Sequence, residues 1–166
     1  MTLANFTSPG LIVPCLRGQD VAAILQELSH ALHQEKRVPD MLPFYHAVLN
    51  REFLVSTDME SGLAFPHARL ASLNELSFAL GRSANPVPWG ARTGPPVRLV
   101  FLLAVPATDS TQYLQVISGL ARFARETRLV EKLHAAQDSF QVFQVLQQVP
   151  LRSQSNADPT KQPVPR

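Results

Sequence analysis

The chain has 166 residues, 45% hydrophobic and 17% charged, enough for one domain that buries roughly 70% of its unfolded surface without a disulfide or structural metal. Lys+Arg 15 against Asp+Glu 13 leaves a formal net charge of +2, and no Lys/Arg block interleaved with aromatics offers the footprint of a nucleic-acid binder. One cysteine, Cys15, excludes an intrachain disulfide, and no stretch reaches the roughly 18 to 20 apolar residues of a spanning helix, so a reducing cytoplasm without membrane insertion is expected.

Residues 1–10, ending in Ser8-Pro9-Gly10, read as an irregular lead-in to a domain over 11–150. Leu11-Ile12-Val13 is an edge-strand candidate stopped by Pro14. Asp20 then reads as the N-cap of an amphipathic helix from Val21 to about His33, with Val21, Ile24, Leu25, Leu28, Ala31 and Leu32 at helical spacing. A second helix starts at Asp40 and carries Phe44, Ala47, Val48 and Phe53 on its apolar face, which puts Arg51 near its end.

Leu63-Ala64-Phe65, bounded by Gly62 and Pro66, reads as a buried strand that delivers His67 and Arg69 into a loop. Leu76 to Leu80 alternates as another strand. Between Gly81 and Pro96 the Pro, Gly and Asn content predicts a long hairpin or partner-facing loop, in which Trp89 is either an interface anchor or a loop cap. Val97 to Val105, almost unbroken in its apolar character, predicts a central strand covered on both faces and ended by Pro106.

Three helices follow. The first runs from Thr111 to Arg125 with Leu114, Ile117, Leu120, Ala121 and Phe123 on its stripe; a short one carries Leu129, Leu133 and Ala136; the last starts at a box of Asp138 and Gln141. Residues 151–166 are too polar and Pro-rich to order themselves. Strands separated by helices, with some short strand-to-strand links, predict a single-domain α/β sandwich: a mixed β-sheet flanked by helices.

The order Arg51-Glu52, Ser56-Thr57, Ala64-Phe65-Pro66-His67-Ala68-Arg69 and the apolar run Val97 to Val105 resembles the EIIA type-2 domain of phosphoenolpyruvate-dependent phosphotransferase systems, in both its fructose/mannitol and its nitrogen-regulatory branches. The resemblance implies that His67 is the phosphoryl acceptor and Arg51 the stabiliser of the phosphoryl oxygens. A guanidinium fork suits that task because it binds two oxygens at once. Arg69 and Thr57 are further candidates, through charge and a hydroxyl donor. A histidine phosphocarrier protein is the implied donor, and a IIB component or a regulated target protein the implied recipient.

Two departures from the family pattern stand out. Tyr113 occupies the place of the family's second histidine; a phenol donates a hydrogen bond but brings no positive charge near neutral pH. Tyr113 also reads as a half-buried aromatic with a wet hydroxyl. Asp58 and Glu60 stand where small residues are usual, and within a Debye length of roughly 8 Å their carboxylates would oppose a phosphoryl dianion unless they point to solvent.

His30, His33, His46 and His134 lack metal-ligand spacing and are assigned exposed or packed roles. No Ser or Cys nucleophile motif, carboxylate dyad or nucleotide-binding Gly loop appears, so neither hydrolase chemistry nor a nucleotide or metal cofactor is expected. The leading reading is a phosphocarrier or regulatory IIA-like component. The alternative is a regulatory protein of the same fold that has lost phosphotransfer and acts by contact.

Overall fold

The computed structural model describes residues 1–59, 61–90, 96–109 and 111–153. The 3.6-residue stripes become helices α1 (Val21–Gln34), α2 (Met41–Leu54), α3 (Gln112–Arg125), α4 (Thr127–Ala135) and α5 (Ser139–Leu146). Asp20 and Asp138 cap α1 and α5 by accepting the amides of Ala23 and Gln141 at 2.8 Å, which satisfies donors that helical geometry leaves free. Asp40 sits at the N-cap of α2 without making that bond.

Strands β1 (Ile12–Val13), β2 (Leu63–Ala64), β3 (His67–Leu70), β4 (Ser77–Val87) and β5 (Val97–Pro106) form one mixed sheet. β5 runs antiparallel to β4, and β1 lies parallel on the far side of β4. On its other side β5 pairs in parallel first with β2 and then with β3, interrupted at Phe65-Pro66, where proline has no N–H for the ladder.

The unbroken apolar run of β5 is explained by burial on both faces. Leu99, Phe101, Leu103 and Val105 pack among the side chains of α3, α4 and α5, while Val100, Leu102 and Ala104 pack under α1 and α2. Phe101 anchors the first face, with ring centroids 5.7 Å from Phe65, 5.8 Å from Phe78 and 6.1 Å from Phe123, spacings at which tilted aromatic pairs attract.

Several expectations change. Residues 1–10 are not an irregular lead-in: Leu3–Phe6 and Pro9–Leu11 wind into 3₁₀ turns, Leu3, Ala4 and Phe6 are buried, and the Leu3 amide bonds the Val149 carbonyl. Phe53 and Leu114, expected on apolar stripes, are 74% and 52% exposed. The helical residues on the buried stripe of α2 are Phe44, Val48 and Glu52. β4 extends to Val87 through the segment read as hairpin or loop, because β5 offers it a pairing partner across an irregularity between Arg82 and Val87 that also accommodates Pro86. The expected disordered tail beyond residue 153 and the rest of the expected loop, at 91–95, lie outside the described residues.

Candidate functional site

His67 opens β3 rather than a loop, which decides what stands beside it. Side chains alternate along a strand, so His67 and Arg69 share one face of the sheet edge, while Ala68 and Leu70 pack under α1 and α2. At the start of α3, Tyr113 meets both: its ring centroid is 5.4 Å from that of His67 and 5.2 Å from the Arg69 guanidinium carbon. The second contact is a cation–π arrangement.

Arg69 is anchored from behind. Its Nη1 donates to the carbonyls of Pro106 and Asp109, while the Asp109 carboxylate accepts the Gln112 and Tyr113 amides at 3.0 and 3.3 Å. Asp109 thus starts α3 and fixes Arg69 together. Arg51, in the last turn of α2, is exposed, its carbonyl accepts the Val55 amide at 3.1 Å, and its guanidinium has no hydrogen bond or ion pair to another described residue.

The imidazole of His67 is partly buried, with Nδ1 3.3 Å from the Phe65 carbonyl oxygen. A carbonyl only accepts, so Nδ1 carries the hydrogen and the lone pair lies on Nε2. Burial lowers the His67 pKa below 6.5; the Phe65 carbonyl acts the other way, Arg51 and Arg69 lower it further, and Glu52 raises it. The lowered pKa favours the neutral ring, the form in which Nε2 offers a lone pair. Burial raises the Tyr113 pKa against the pull of Arg69 and Arg51, keeping the phenol a neutral donor.

Thr57, expected as a hydroxyl donor to the phosphoryl group, is committed elsewhere. Its Oγ1 donates to the Glu52 carboxylate at 2.9 and 3.1 Å and accepts the Phe65 amide at 3.1 Å, and its own amide reaches Glu52 Oε1 at 2.7 Å. Glu52 is only 5% exposed. Its other side-chain partner among the described residues is Trp89, whose indole Nε1 donates to Oε1 at 2.7 Å. Trp89 is 2% exposed, neither an interface anchor nor a cap on a loop surface.

The Asp58 carboxylate accepts the Ser56 hydroxyl at 2.5 Å, and among the described residues the charges of Arg51, Glu52 and Arg69 act on His67. Glu60 lies outside the described residues. Phe53, Leu54 and Val55, which follow Arg51 and Glu52 in the chain, and Leu114, which follows Tyr113, are 74%, 80%, 58% and 52% exposed. The sequence reading names Glu52 only as the neighbour of Arg51 and leaves Trp89 undecided. A signal for Glu52 was present, since Phe44, Val48 and Glu52 are spaced by four and fall on one helix face.

No helix among the described residues is long and apolar enough to cross a membrane. Residues 5–149 match the family described as phosphoenolpyruvate-dependent sugar phosphotransferase system, EIIA 2. A nitrogen regulatory protein of Bradyrhizobium diazoefficiens is 30% identical over 146 residues, 88% of this chain and 95% of that one. Among solved structures, nitrogen regulatory protein IIA-Ntr of Neisseria meningitidis superposes with a TM-score of 0.74 at 24% identity, covering 87% of this chain and 98% of that one. The Escherichia coli enzyme IIA of the mannitol system, solved in complex with its phosphorylated enzyme IIB, gives 0.72 at 17% identity, covering 85% and 96%. These two likenesses establish the shared fold.

Proposed function

We propose that this chain, which belongs to the EIIA type-2 family of the phosphoenolpyruvate-dependent sugar phosphotransferase system, takes a phosphoryl group onto Nε2 of His67 and relays or signals it. The donor is the phosphohistidine of a small histidine phosphocarrier protein. The recipient is a IIB component, the class of partner seen with the mannitol enzyme IIA, or else a regulated target protein reads the phosphorylated state. Likeness to a nitrogen regulatory protein over nearly its whole length supports the regulatory branch.

The observation that carries this reading is the Nδ1–H bond from His67 to the Phe65 carbonyl, which leaves the Nε2 lone pair available beside Arg51, Arg69 and Tyr113. In the transfer, the Nε2 pair forms a bond to phosphorus as the P–N bond to the donor breaks, and the leaving imidazole keeps that bond's electron pair. No proton has to move on His67, because Nδ1–H stays on the carbonyl. The transition state is loose, with charge on the equatorial oxygens, so catalysis is positioning and charge stabilisation. Arg51 and Arg69 supply that charge, the Tyr113 hydroxyl donates one hydrogen bond, and Thr57 holds the backbone that aims the ring.

The exposed Phe53, Leu54, Val55 and Leu114 around the site are suited to cover the reacting groups against a protein partner, whose docking excludes water. Tyr113, by removing an imidazolium from the site, favours a second reading in which the protein acts by contact without turnover. Intact mass after incubation with phosphoenolpyruvate, enzyme I and the phosphocarrier separates them. One acid-labile phosphoryl adduct, absent in His67→Ala, is expected; no adduct with active partners would leave the contact reading.

A further inference from the structure

Trp89 lies 37 residues beyond Glu52 in the chain and belongs to neither the Arg51 nor the His67 segment, yet a continuous run of hydrogen bonds joins it to the imidazole. The indole Nε1–H goes to Glu52 Oε1 at 2.7 Å, and the same carboxylate takes the Thr57 amide at 2.7 Å and hydroxyl at 2.9 Å. The Thr57 Oγ1 in turn accepts the Phe65 amide at 3.1 Å. Phe65 then presents its carbonyl to His67 Nδ1 at 3.3 Å.

We propose that Trp89 is a positioning residue for His67: through Glu52, Thr57 and Phe65 it fixes the orientation and tautomer of the phosphoryl-accepting ring. This rests on the phosphocarrier reading of the same site.

The run has few alternatives available to it. Glu52 is buried, so a carboxylate that loses one donor finds no water in exchange and must turn or draw its neighbours with it. Thr57 is tied to that carboxylate by both backbone and side chain, so a turn of Glu52 moves the residue that holds Phe65. Hydrogen bonds that orient an imidazole select which nitrogen carries the lone pair.

The residue after Trp89 grips the same loop independently. Gly90 has φ +61°, and a Cβ there would lie 1.9 Å from Ser56 Oγ and 3.2 Å from Asp58 Oδ1. Only glycine fits this contact, and its backbone closes against the residues flanking Thr57. The end of β4 and its following residues thereby hold the 56–58 segment from two directions, one polar and one steric.

Trp89→Phe keeps an aromatic ring and removes the indole donor. The test follows ¹⁵N shifts of the His67 ring through a pH titration of the unphosphorylated protein, together with kcat and KM for transfer from the phosphocarrier and the thermal midpoint. Wild type is expected to hold the Nδ1–H tautomer. In Trp89→Phe a mixture of tautomers appears and kcat falls by roughly 10- to 100-fold, as a misaimed nucleophile requires, while KM for the phosphocarrier stays within about twofold. In a Glu52→Gln background the same change should cost little more, because Trp89 acts through that carboxylate.

A lowered midpoint with tautomer and kcat unchanged would make Trp89 a packing residue and overturn the proposal. Should Trp89→Phe fail to fold, Thr57→Val breaks the same run one step nearer His67 and must scramble the tautomer; an unaltered ring would equally overturn it. If wild type accepts no phosphate, the phosphocarrier reading falls, and the ring titration still decides whether Trp89 orients His67.

Discussion

On the inner side of His67, a carboxylate only 5% exposed gathers Trp89 and Thr57, and hydrogen bonds lead step by step from the indole to Nδ1 of the imidazole. On the outer side, Arg69 and Tyr113 hold each other through charge and ring, and Arg51 stands exposed. Buried hydrogen bonds are directional and costly to break, so the inner side fixes geometry. Charge at an exposed surface is screened by water and salt, so the outer side supplies charge that becomes effective once a partner covers it. The proposed phosphoryl transfer needs both geometry and charge.

Substitutions on the two sides should therefore fail in different ways. Arg51→Ala is expected to lower the rate of phosphoryl transfer by roughly 100- to 1,000-fold, the cost of one preorganised charge donor, with no change in thermal midpoint. Stopped-flow transfer beside a melting curve checks it, and a lowered midpoint would mean that Arg51 also belongs to the inner, structural side. Glu52→Ala should lower the midpoint as well as the rate, because it leaves the donors of Trp89 and Thr57 buried without an acceptor and breaks the run that holds His67. About 2–4 kcal/mol of stability would be lost, a fall of roughly 5–15 °C in midpoint.

At the rim, Phe53→Asp and Leu114→Asp should each raise KM for the phosphocarrier by roughly tenfold while kcat and stability hold, as expected of apolar groups at an interface core. Equal effects on free phosphoryl donors of low mass would argue against docking. Tyr113→Phe, which removes only a hydroxyl, should slow transfer by about two- to fivefold. Tyr113→His should speed it below about pH 6.5, where imidazolium adds charge.

The smallest effect is on stability against pH. The His67 and His134 pKa values are lowered in the folded chain, so the unfolded state binds more protons around its own pKa of 6.5. Their contribution is complete above that value and is lost as pH falls through it toward the folded pKa. The midpoint of wild type should drop between pH 7 and pH 5, and His67→Gln and His134→Gln should each reduce that drop. Transfer itself should hold level from pH 8 to about 6.5 and decline below, as the nucleophile is protonated.

Much of the outer side was legible in the sequence, His67 and Arg69 as the residues that follow a short apolar strand and Tyr113 through the resemblance to the family pattern. The fold was legible from local patterns: β5 reads as a long apolar run, and α1 and α5 carry their N-cap aspartates. The inner side depends on contacts far apart in sequence. Nothing local to Trp89 reveals a partner at Glu52, and the Pro- and Gly-rich composition of its segment suggests a loop, whereas β5 draws β4 out to Val87. The Thr57 hydroxyl looked free in the sequence because nothing local to it reveals its acceptor, Glu52, on the buried face of α2.

The Nδ1–H bond to the Phe65 carbonyl leaves the His67 lone pair on Nε2. Phosphorylating ¹⁵N-histidine-labelled protein and reading the two-dimensional ¹H–¹⁵N and ³¹P spectra of the ring identifies the nitrogen bonded to phosphorus. A phosphoryl group on Nε2 of His67, with Nδ1 still protonated, is the predicted result. A phosphoryl group on Nδ1, or on another residue, would contradict the account.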